Sequence, residues 1–312
     1  MTSNRGKNTA ASIRDRLLQL ARRRGEDFQL ILTRYGLERL LYRLSRSEYR
    51  DRFILKGAML FTLWDDQAYR TTRDVDFLGF GDSGEDAVRD TFRALCNAAV
   101  ADDGLVLHSD SVRVDPIRDV TEYGGMRVTL LGELAGARIP IQADIGFGDA
   151  VTPEPERVKY PTLLGSPAPV LRAYPRETVI AEKYQALVYL GMANSRMKDF
   201  YDLWFMAHRF DFDGATLSEA INNTFARRET PLPKQTPSGL SPEFHENQQK
   251  NRQWDAFLRK SMLLSTTTYP SLEEVCQILE NFLMPPTTAL IHGRTFAEHW
   301  QAGGPWKIRA VD

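Results

Sequence analysis

The chain has 312 residues, with 40 Lys and Arg against 41 Asp and Glu, so its formal net charge is −1. This balance argues against a protein that coats nucleic acid non-specifically, although it leaves room for a local basic face. The 42% share of hydrophobic residues is ordinary for a soluble globular protein with a sizeable core.

The spacing of the cysteines and the lack of long apolar segments predict the cellular compartment. Cys96 and Cys276 lie far apart and lack CxxC spacing, which predicts a reducing compartment and no zinc site. The polar N-terminus has no apolar signal segment, and no run of about 18 apolar residues predicts a membrane span. We therefore expect a cytoplasmic protein.

The hydrophobic pattern predicts an α+β fold in three parts. Residues 1–9 are expected to form a disordered tail, and 10–170 a helical arm followed by a core with a mixed or antiparallel sheet. Residues 171–312 are expected to form a helical domain. Strand patterns are seen at 53–55, 74–78, 105–107, 112–120, 126–131 and 139–147, before an irregular proline-rich connection. Helices are predicted at 10–45 (two), 58–64, 87–100, 176–192, 196–208, 215–227, 251–264 and 271–283, with a proline-rich loop at 229–242.

The arm is rich in arginine. Besides Arg22, Arg23 and Arg24 at the end of the first helix, it includes Arg34, Arg39 and Arg43. The plainer interpretation is a solvated helix face; the alternative is a patch that contacts RNA phosphates.

A first candidate site follows the short strand at 53–55. Lys56, Gly57 and Ala58 stand at a strand-to-helix turn, where glycine allows a phosphate to approach the main chain and a new helix offers unpaired N–H groups. A Lys-Gly pair at a turn is weak evidence by itself.

Three aspartates carry the strongest chemical signal. Asp74 and Asp76 alternate along a strand, so both carboxylates share one face, where hard divalent cations relieve their repulsion. Asp144 leaves the apolar face in the middle of a strand, a position where aspartate is disfavoured. Three such carboxylates suit a metal-dependent phosphoryl-transfer site. A solvent-facing pair and a hydrogen-bonded strand-end aspartate are the plainer interpretations.

The helical half contributes a second group. Lys183 lies in the centre of an apolar helix stripe, so either its ammonium reaches solvent or it meets an anionic partner. Arg196, Asp199 and Asp202 recur at spacing three along the next predicted helix. This spacing indicates either an intrahelical salt-bridge row or a carboxylate, Asp199, that orients Lys183 or a nucleotide.

Five blocks of sequence resemble the AbiEii/AbiGii-type toxin family of the nucleotidyltransferase superfamily. They are Arg-Asp-Arg-Phe-Ile-Leu-Lys-Gly-Ala at 50–58, Thr-Arg-Asp-Val-Asp-Phe at 72–77, Ile-Gln-Ala-Asp-Ile-Gly-Phe-Gly-Asp at 141–149, Tyr-Pro-Arg-Glu-Thr-Val-Ile-Ala-Glu-Lys at 174–183 and Ser-Arg-Met-Lys-Asp-Phe-Tyr-Asp-Leu at 195–203. The resemblance covers roughly residues 10–230 and implies a nucleotidyltransferase-like core.

The resemblance implies a toxin of a bacterial toxin–antitoxin pair, with a cognate antitoxin as partner. Such a protein moves a nucleoside monophosphate from an NTP to an acceptor, for which we expect the 3′ end of tRNA, and releases pyrophosphate. The implied roles are metal binding (Mg²⁺ or Mn²⁺) by Asp74, Asp76 and Asp144; catalysis by these three with Lys183 and Asp199; and nucleotide binding by Lys56, Gly57, Ala58, Thr72, Lys183 and Arg196.

One position departs from the wider superfamily pattern. Ala58 stands where many members carry Ser or Gly, so a hydroxyl is missing there while the main-chain N–H remains. Thr72, two residues before Asp74, could supply a hydroxyl near the metals.

Three other functions stay open on the sequence. A nucleotidyltransferase could act on a small molecule such as an antibiotic, and a glycosyltransferase also uses an Asp-x-Asp pair. The latter is disfavoured because only helices and one short strand precede the pair. A non-catalytic partner-binding protein is disfavoured by the presence of all three carboxylates and Lys183.

Overall fold

A computed structural model describes residues 3–65, 72–117, 124–261 and 269–308. The chain divides into two compact units. Unit 1 comprises Met1–Gly148 and Glu156–Ala173, and unit 2 comprises Asp149–Pro155 and Tyr174–Asp312. The chain therefore crosses between the units three times, and the last crossing lies close to the boundary expected at 170.

Unit 1 begins with two long helices. Helix α2 starts behind Asp27, whose carboxylate accepts a hydrogen bond from the main-chain N–H of Leu30. Helix α1 already starts at Ser3, so residues 3–9 are helical and not the disordered tail that we expected. No proline interrupts this polar stretch, and the helix extends backwards from Ala10 and Ala11. The helices of unit 1 are α1 (Ser3–Arg24), α2 (Phe28–Arg46), α3 (Phe61–Trp64) and α4 (Glu85–Cys96), with 3₁₀ turns at Arg50–Arg52 and Gly57–Leu60.

A seven-stranded mixed sheet forms the rest of unit 1. Its strands are β1 (Phe53–Lys56), β2 (Asp74–Gly79), β3 (Leu105–Ile117), β4 (Gly125–Leu134), β5 (Ala137–Phe147), β6 (Glu156–Lys159) and β7 (Val170–Ala173), in the order β3-β4-β5-β2-β1-β7-β6. The pairs β2–β5 and β1–β7 are parallel and the other pairs are antiparallel. This arrangement confirms the α+β class and the mixed sheet.

One face of this sheet is the core face. Along β5, Ile139, Ile141, Ala143 and Ile145 are buried, whereas Gln142 and Asp144 on the other face are partly exposed. Helices α2 and α4 pack on the core face. At Gly36 of α2, a Cβ atom would lie only 2.9 Å from Ile139 Cγ2, so glycine permits the close approach of helix and sheet.

Two arginines of α2 are buried and paired instead of solvated. Arg43 donates to both carboxylate oxygens of Asp103, at 2.8 and 3.1 Å, and Arg39 pairs with Glu38 at 2.9 Å. The interpretation of the arm as a solvated helix face is therefore wrong for Arg39 and Arg43. The 13 buried residues of this 19-residue helix are distributed around its whole circumference, so most positions on α2 face protein.

Unit 2 is mainly helical. Its elements are α5 (Arg176–Leu190), α6 (Met197–Arg209), β8 (Phe212–Asp213), α7 (Gly214–Arg227), α8 (Pro242–His245), α9 (Gln248–Lys260), α10 (Leu272–Ile291), β9 (Glu298–Trp300) and β10 (Trp306–Ile308). The three short strands form one sheet in the order β10-β9-β8. In the described ranges, no helix combines the length and the apolar character that a bilayer crossing requires.

The short segment Asp149–Pro155 is held by other parts of unit 2. Arg228 donates to Asp149 Oδ1 from Nε at 3.1 Å and from Nη2 at 2.9 Å. Thr152 exchanges hydrogen bonds with Thr178, and its hydroxyl accepts from Asn223. A stretch located between two strands of unit 1 in the sequence is thus fixed on unit 2.

Several short elements differ from the sequence predictions. Strands β6 and β7 lie in and beside the stretch predicted as irregular, and β8, β9 and β10 were not predicted. The two strands predicted at 105–107 and 112–120 form one bulged strand, and 118–120 lie outside the described residues. Helix α10 continues through Pro285 and Pro286, beyond its predicted end at 283.

Candidate active site

The paired aspartates lie on the face of the sheet opposite α2 and α4. Val75 and Phe77 are buried on the core face, so Asp74 and Asp76 project from the other face, as their alternation predicted. In the parallel pair β2–β5, Asp76 is the register partner of Asp144 and Asp74 that of Gln142. All three aspartates therefore project from the same face of two adjacent strands.

The turn after β1 brings the main chain against Asp76. Gly57 has a φ of +75°, and a Cβ atom there would overlap the Asp76 carboxylate. Lys56, the last residue of β1, is the register partner of Asp76 on the other side. Glycine is required at position 57 both for its dihedral angle and for the space that Asp76 occupies. Buried Ala58 follows within the same 3₁₀ turn.

Thr72 lies next to the first aspartate. Its hydroxyl donates to Asp74 Oδ1 at 2.5 Å and also lies 3.2 Å from the Asp74 carbonyl oxygen. A hydroxyl thus stands beside this carboxylate, as the position of Thr72 in the sequence suggested.

Asp144 has a partner that was not predicted from the sequence. Arg127 of β4 donates from Nε to Asp144 Oδ1 at 2.9 Å and from Nη2 to Oδ2 at 2.7 Å. Gln142 Nε2 also donates to Oδ1, at 3.2 Å. The hydrogen bond to Asp144 is the main cause that raises the pKa of Arg127, and the charges of Asp144, Asp74 and Asp76 raise it further.

A signal for Arg127 was present in the sequence. The hairpin turn at Ala135 and Gly136, both with positive φ, pairs Leu134 with Ala137, and the same register places Arg127 opposite Asp144. The sequence indicates a turn at Leu134, Ala135 and Gly136, and counting the register outward from it identifies the pair.

The donor atoms of this face suit a hard divalent cation. Carboxylate oxygens are the ligands that Mg²⁺ and Mn²⁺ prefer. Among the residues that the structure describes, no group of three or more Asp, Glu, His or Cys side chains is already arranged around a metal position. The carboxylate of Asp144 is instead held by its bidentate contact with Arg127.

The second predicted group lies in unit 2. Lys183 of α5 places Nζ 2.5 Å from Asp199 Oδ1 and 2.9 Å from Asp202 Oδ2, both on α6. The Lys183 side chain is 16% exposed and that of Asp202 is 0% exposed. Of the two interpretations of Lys183, the anionic partner is therefore correct, and Asp202 is a further partner that was not predicted to belong to the site.

The remaining residue of this group precedes α6. The main-chain N–H of Arg196 donates to Asn194 Oδ1 at 2.8 Å, which forms the turn between α5 and α6. The predicted site residues thus form two groups. Lys56, Gly57, Ala58, Thr72, Asp74, Asp76 and Asp144 belong to unit 1, and Lys183, Arg196 and Asp199 belong to unit 2.

Two solved structures are similar to the chain over most of its length. The crystal structure of JHP933 from Helicobacter pylori matches with a TM-score of 0.47 and 14% identity, covering 86% of this chain and 95% of that one. A protein from H. pylori assigned as a nucleotidyltransferase matches with a TM-score of 0.48 and 14% identity, covering 86% and 100%. Similarities this distant carry no argument about function.

Sequence comparison gives a more specific result. No curated protein matches the chain. The family model described as "Nucleotidyl transferase AbiEii toxin, Type IV TA system" matches residues 39–281, which is more than half of the 312 residues and spans both groups of site residues. The chain therefore belongs to the AbiEii nucleotidyl transferase toxin family of type IV toxin–antitoxin systems.

Proposed function

We propose that this protein is a metal-dependent nucleotidyltransferase that transfers a nucleoside monophosphate from an NTP to an acceptor hydroxyl and releases pyrophosphate. Family membership supports nucleotidyl transfer. The observation that carries the metal-dependent mechanism is the position of Asp74, Asp76 and Asp144 on one face of two paired strands, beside the turn at Gly57.

The metal ligands in this proposal are the three aspartates. Asp74 and Asp76 would bind Mg²⁺ or Mn²⁺, and Asp144 would complete the set on the neighbouring strand. The bound cation would polarise the phosphate oxygens and stabilise the departing pyrophosphate.

The other residues position the reactants. The main-chain amides of Gly57 and Ala58, with the Lys56 ammonium, would hold the triphosphate so that the acceptor hydroxyl attacks the α-phosphorus in line. A bond forms between the acceptor oxygen and the α-phosphorus, and the bond to pyrophosphate breaks. Asp144 would accept the hydroxyl proton, and Thr72 would orient Asp74 through its hydrogen bond.

For unit 2, we propose that Lys183 and Arg196 are nucleotide-binding residues and that Asp199 orients Lys183. The 2.5 Å contact between Lys183 and Asp199 supports the orienting role. Asp202 would also restrain the Lys183 side chain, since its carboxylate lies 2.9 Å from the ammonium.

The acceptor that we propose is the 3′ end of tRNA. Four arginines of α1 are exposed and could contact phosphates: Arg16, Arg22, Arg23 and Arg24. Arg16 also donates to the Leu164 carbonyl and Arg24 lies 3.6 Å from Glu26, both at the surface. The family assignment adds an NTP substrate and an antitoxin as partner.

The test is a transfer assay with total RNA and each α-labelled NTP in turn. The Asp76→Asn variant should lower transfer roughly a thousandfold or more, because several kcal/mol of transition-state stabilisation depend on the metal. Asp110→Asn, on an exposed position of β3, is the matched control and should retain full activity.

Undiminished transfer by the Asp76→Asn variant, with an unchanged melting temperature, would eliminate the proposed metal site. Label that accumulates in a small molecule and not in RNA would replace tRNA by a small-molecule acceptor. Absence of labelled product with every acceptor fraction would favour the non-catalytic partner-binding alternative.

A further inference from the structure

Arg127 belongs to a line of charged residues that crosses the sheet. The β-sheet register pairs Arg127 of β4 with Asp144 of β5, Asp144 with Asp76 of β2, and Asp76 with Lys56 of β1. The two carboxylates are therefore flanked by one cation on each side, and Asp74 lies one step along the same face.

The cluster needs positive charge when no metal is bound. Carboxylates a few ångströms apart repel one another, and a guanidinium that donates to both oxygens of one of them relieves that repulsion. Asp76 is the register partner of Asp144 on the same face, so the guanidinium is also the neighbouring positive charge for the rest of the cluster.

The same geometry opposes metal binding at Asp144. Both of its oxygens accept hydrogen bonds from Arg127, and Oδ1 also accepts one from Gln142. A divalent cation that takes Asp144 as a ligand competes with the guanidinium for the same oxygen atoms. The Arg127 side chain is 45% exposed, so it can leave Asp144 without disturbing the core.

We propose that Arg127 is an exchangeable counter-ion of the carboxylate cluster. It neutralises Asp144 in the metal-free protein, a divalent cation displaces it, and the released guanidinium then binds the triphosphate of the incoming NTP. This inference rests on the proposed function, because it needs the metal site at Asp74, Asp76 and Asp144.

The proposal predicts two effects of opposite sign. Removing the guanidinium removes a competitor, so the metal should bind more tightly. It also removes a phosphate ligand, so NTP should bind more weakly. A purely structural cross-strand pair predicts something else: its loss would disorder Asp144 and weaken both kinds of binding.

The experiment compares the full-length protein with its Arg127→Met and Arg127→Lys variants. Mn²⁺ binding is titrated directly by electron paramagnetic resonance without NTP, and KM for NTP is measured at saturating metal. Arg127→Met should lower the Kd for Mn²⁺ about fivefold, as expected for loss of one half-exposed competing ion pair. It should raise KM for NTP about tenfold, and Arg127→Lys should recover most of that loss.

Two controls separate the possible failures. Arg113→Met removes an exposed arginine of β3 that donates to the main-chain carbonyls of Asp110 and Val112, and it should change neither quantity. Asp76→Asn should weaken Mn²⁺ binding if the proposed metal site is correct. Weakened Mn²⁺ binding in Asp76→Asn with unchanged or weaker binding in Arg127→Met would overturn the role of Arg127 alone. Unchanged Mn²⁺ binding in Asp76→Asn would overturn the metal site itself.

Discussion

The two groups of charged candidate residues differ in how far solvent reaches their ion pairs. In unit 1, Arg127 and Asp144 pair at a surface, with side chains 45% and 18% exposed, so water shares in solvating both charges. In unit 2, Lys183 and Asp202 pair inside the protein, with side chains 16% and 0% exposed. The surface pair can open at little cost, whereas the interior pair must remain closed, because an unpaired buried charge costs several kcal/mol.

This difference suggests a division of labour. A group that must exchange partners during a reaction belongs where solvent can replace a lost contact. A group that must keep one orientation belongs where the loss of its partner is expensive. Two of the following three predictions test this contrast and one tests the main-chain turn at the surface site, in order of decreasing effect.

The largest effect is expected from Asp202→Ala. This change removes one of the carboxylates that pair with the largely buried ammonium of Lys183, and it should lower the free energy of unfolding by about 3 kcal/mol, the low end for breaking a buried ion pair. Urea unfolding followed by circular dichroism measures the loss. Asp144→Asn is the matched control at the surface and should cost less than about 1 kcal/mol. Equal losses in the two variants would contradict the contrast.

Gly57→Ala should have an intermediate effect on stability and a severe effect on the site. Alanine is strained at a φ of +75°, and its methyl group would displace the Asp76 carboxylate. We expect a loss of about 1–3 kcal/mol in unfolding free energy together with weaker Mn²⁺ binding. Gly25→Ala provides a matched control, since Gly25 also has positive φ (65°) but no atom lies within 4 Å of the place where alanine would add its Cβ atom. Gly25→Ala should lower the unfolding free energy through the same strain and should leave Mn²⁺ binding unchanged.

The smallest effect concerns salt. Raising KCl from about 0.1 to 1 M shortens the Debye length from about 10 to 3 Å, which screens exposed charges much more than buried ones. The stability difference between wild type and Arg127→Met should therefore shrink in high salt, while the difference for Asp202→Ala should persist. Urea titrations at both salt concentrations measure the two differences. A salt-sensitive Asp202→Ala difference would show that solvent reaches the interior pair.

The sequence predicted those features of the site that depend on local periodicity. Alternation along one strand is enough to place Asp74 and Asp76 on a common face. The apolar neighbours of Lys183 on α5 reduced its surroundings to two options, solvent or an anionic partner, and the structure shows the second. These arguments use contacts within one strand or one helix turn, where spacing determines direction.

Features that depend on pairing between distant segments were missed. Arg127 becomes visible only once the register of β4 and β5 is fixed, and Arg43 looks like a solvated residue until Asp103 is placed beside it. Strands β6 and β7 have four residues each, too few for a period to emerge, and prolines nearby favoured an irregular connection. Asp202 was assigned to an intrahelical row because its partner, Lys183, lies on another helix.

The threefold crossing of the chain limits how the protein can be dissected. Because Asp149–Pro155 interrupts unit 1 and is fastened to unit 2 by Arg228, Thr178 and Asn223, neither unit corresponds to one continuous stretch of sequence. A fragment that ends at Ala173 keeps the sheet. It also keeps Asp149–Pro155, but it lacks the residues of unit 2 that bind this segment. A gene truncation therefore cannot deliver either half intact, and an isolated first half would need a short artificial loop joining Gly148 directly to Glu156.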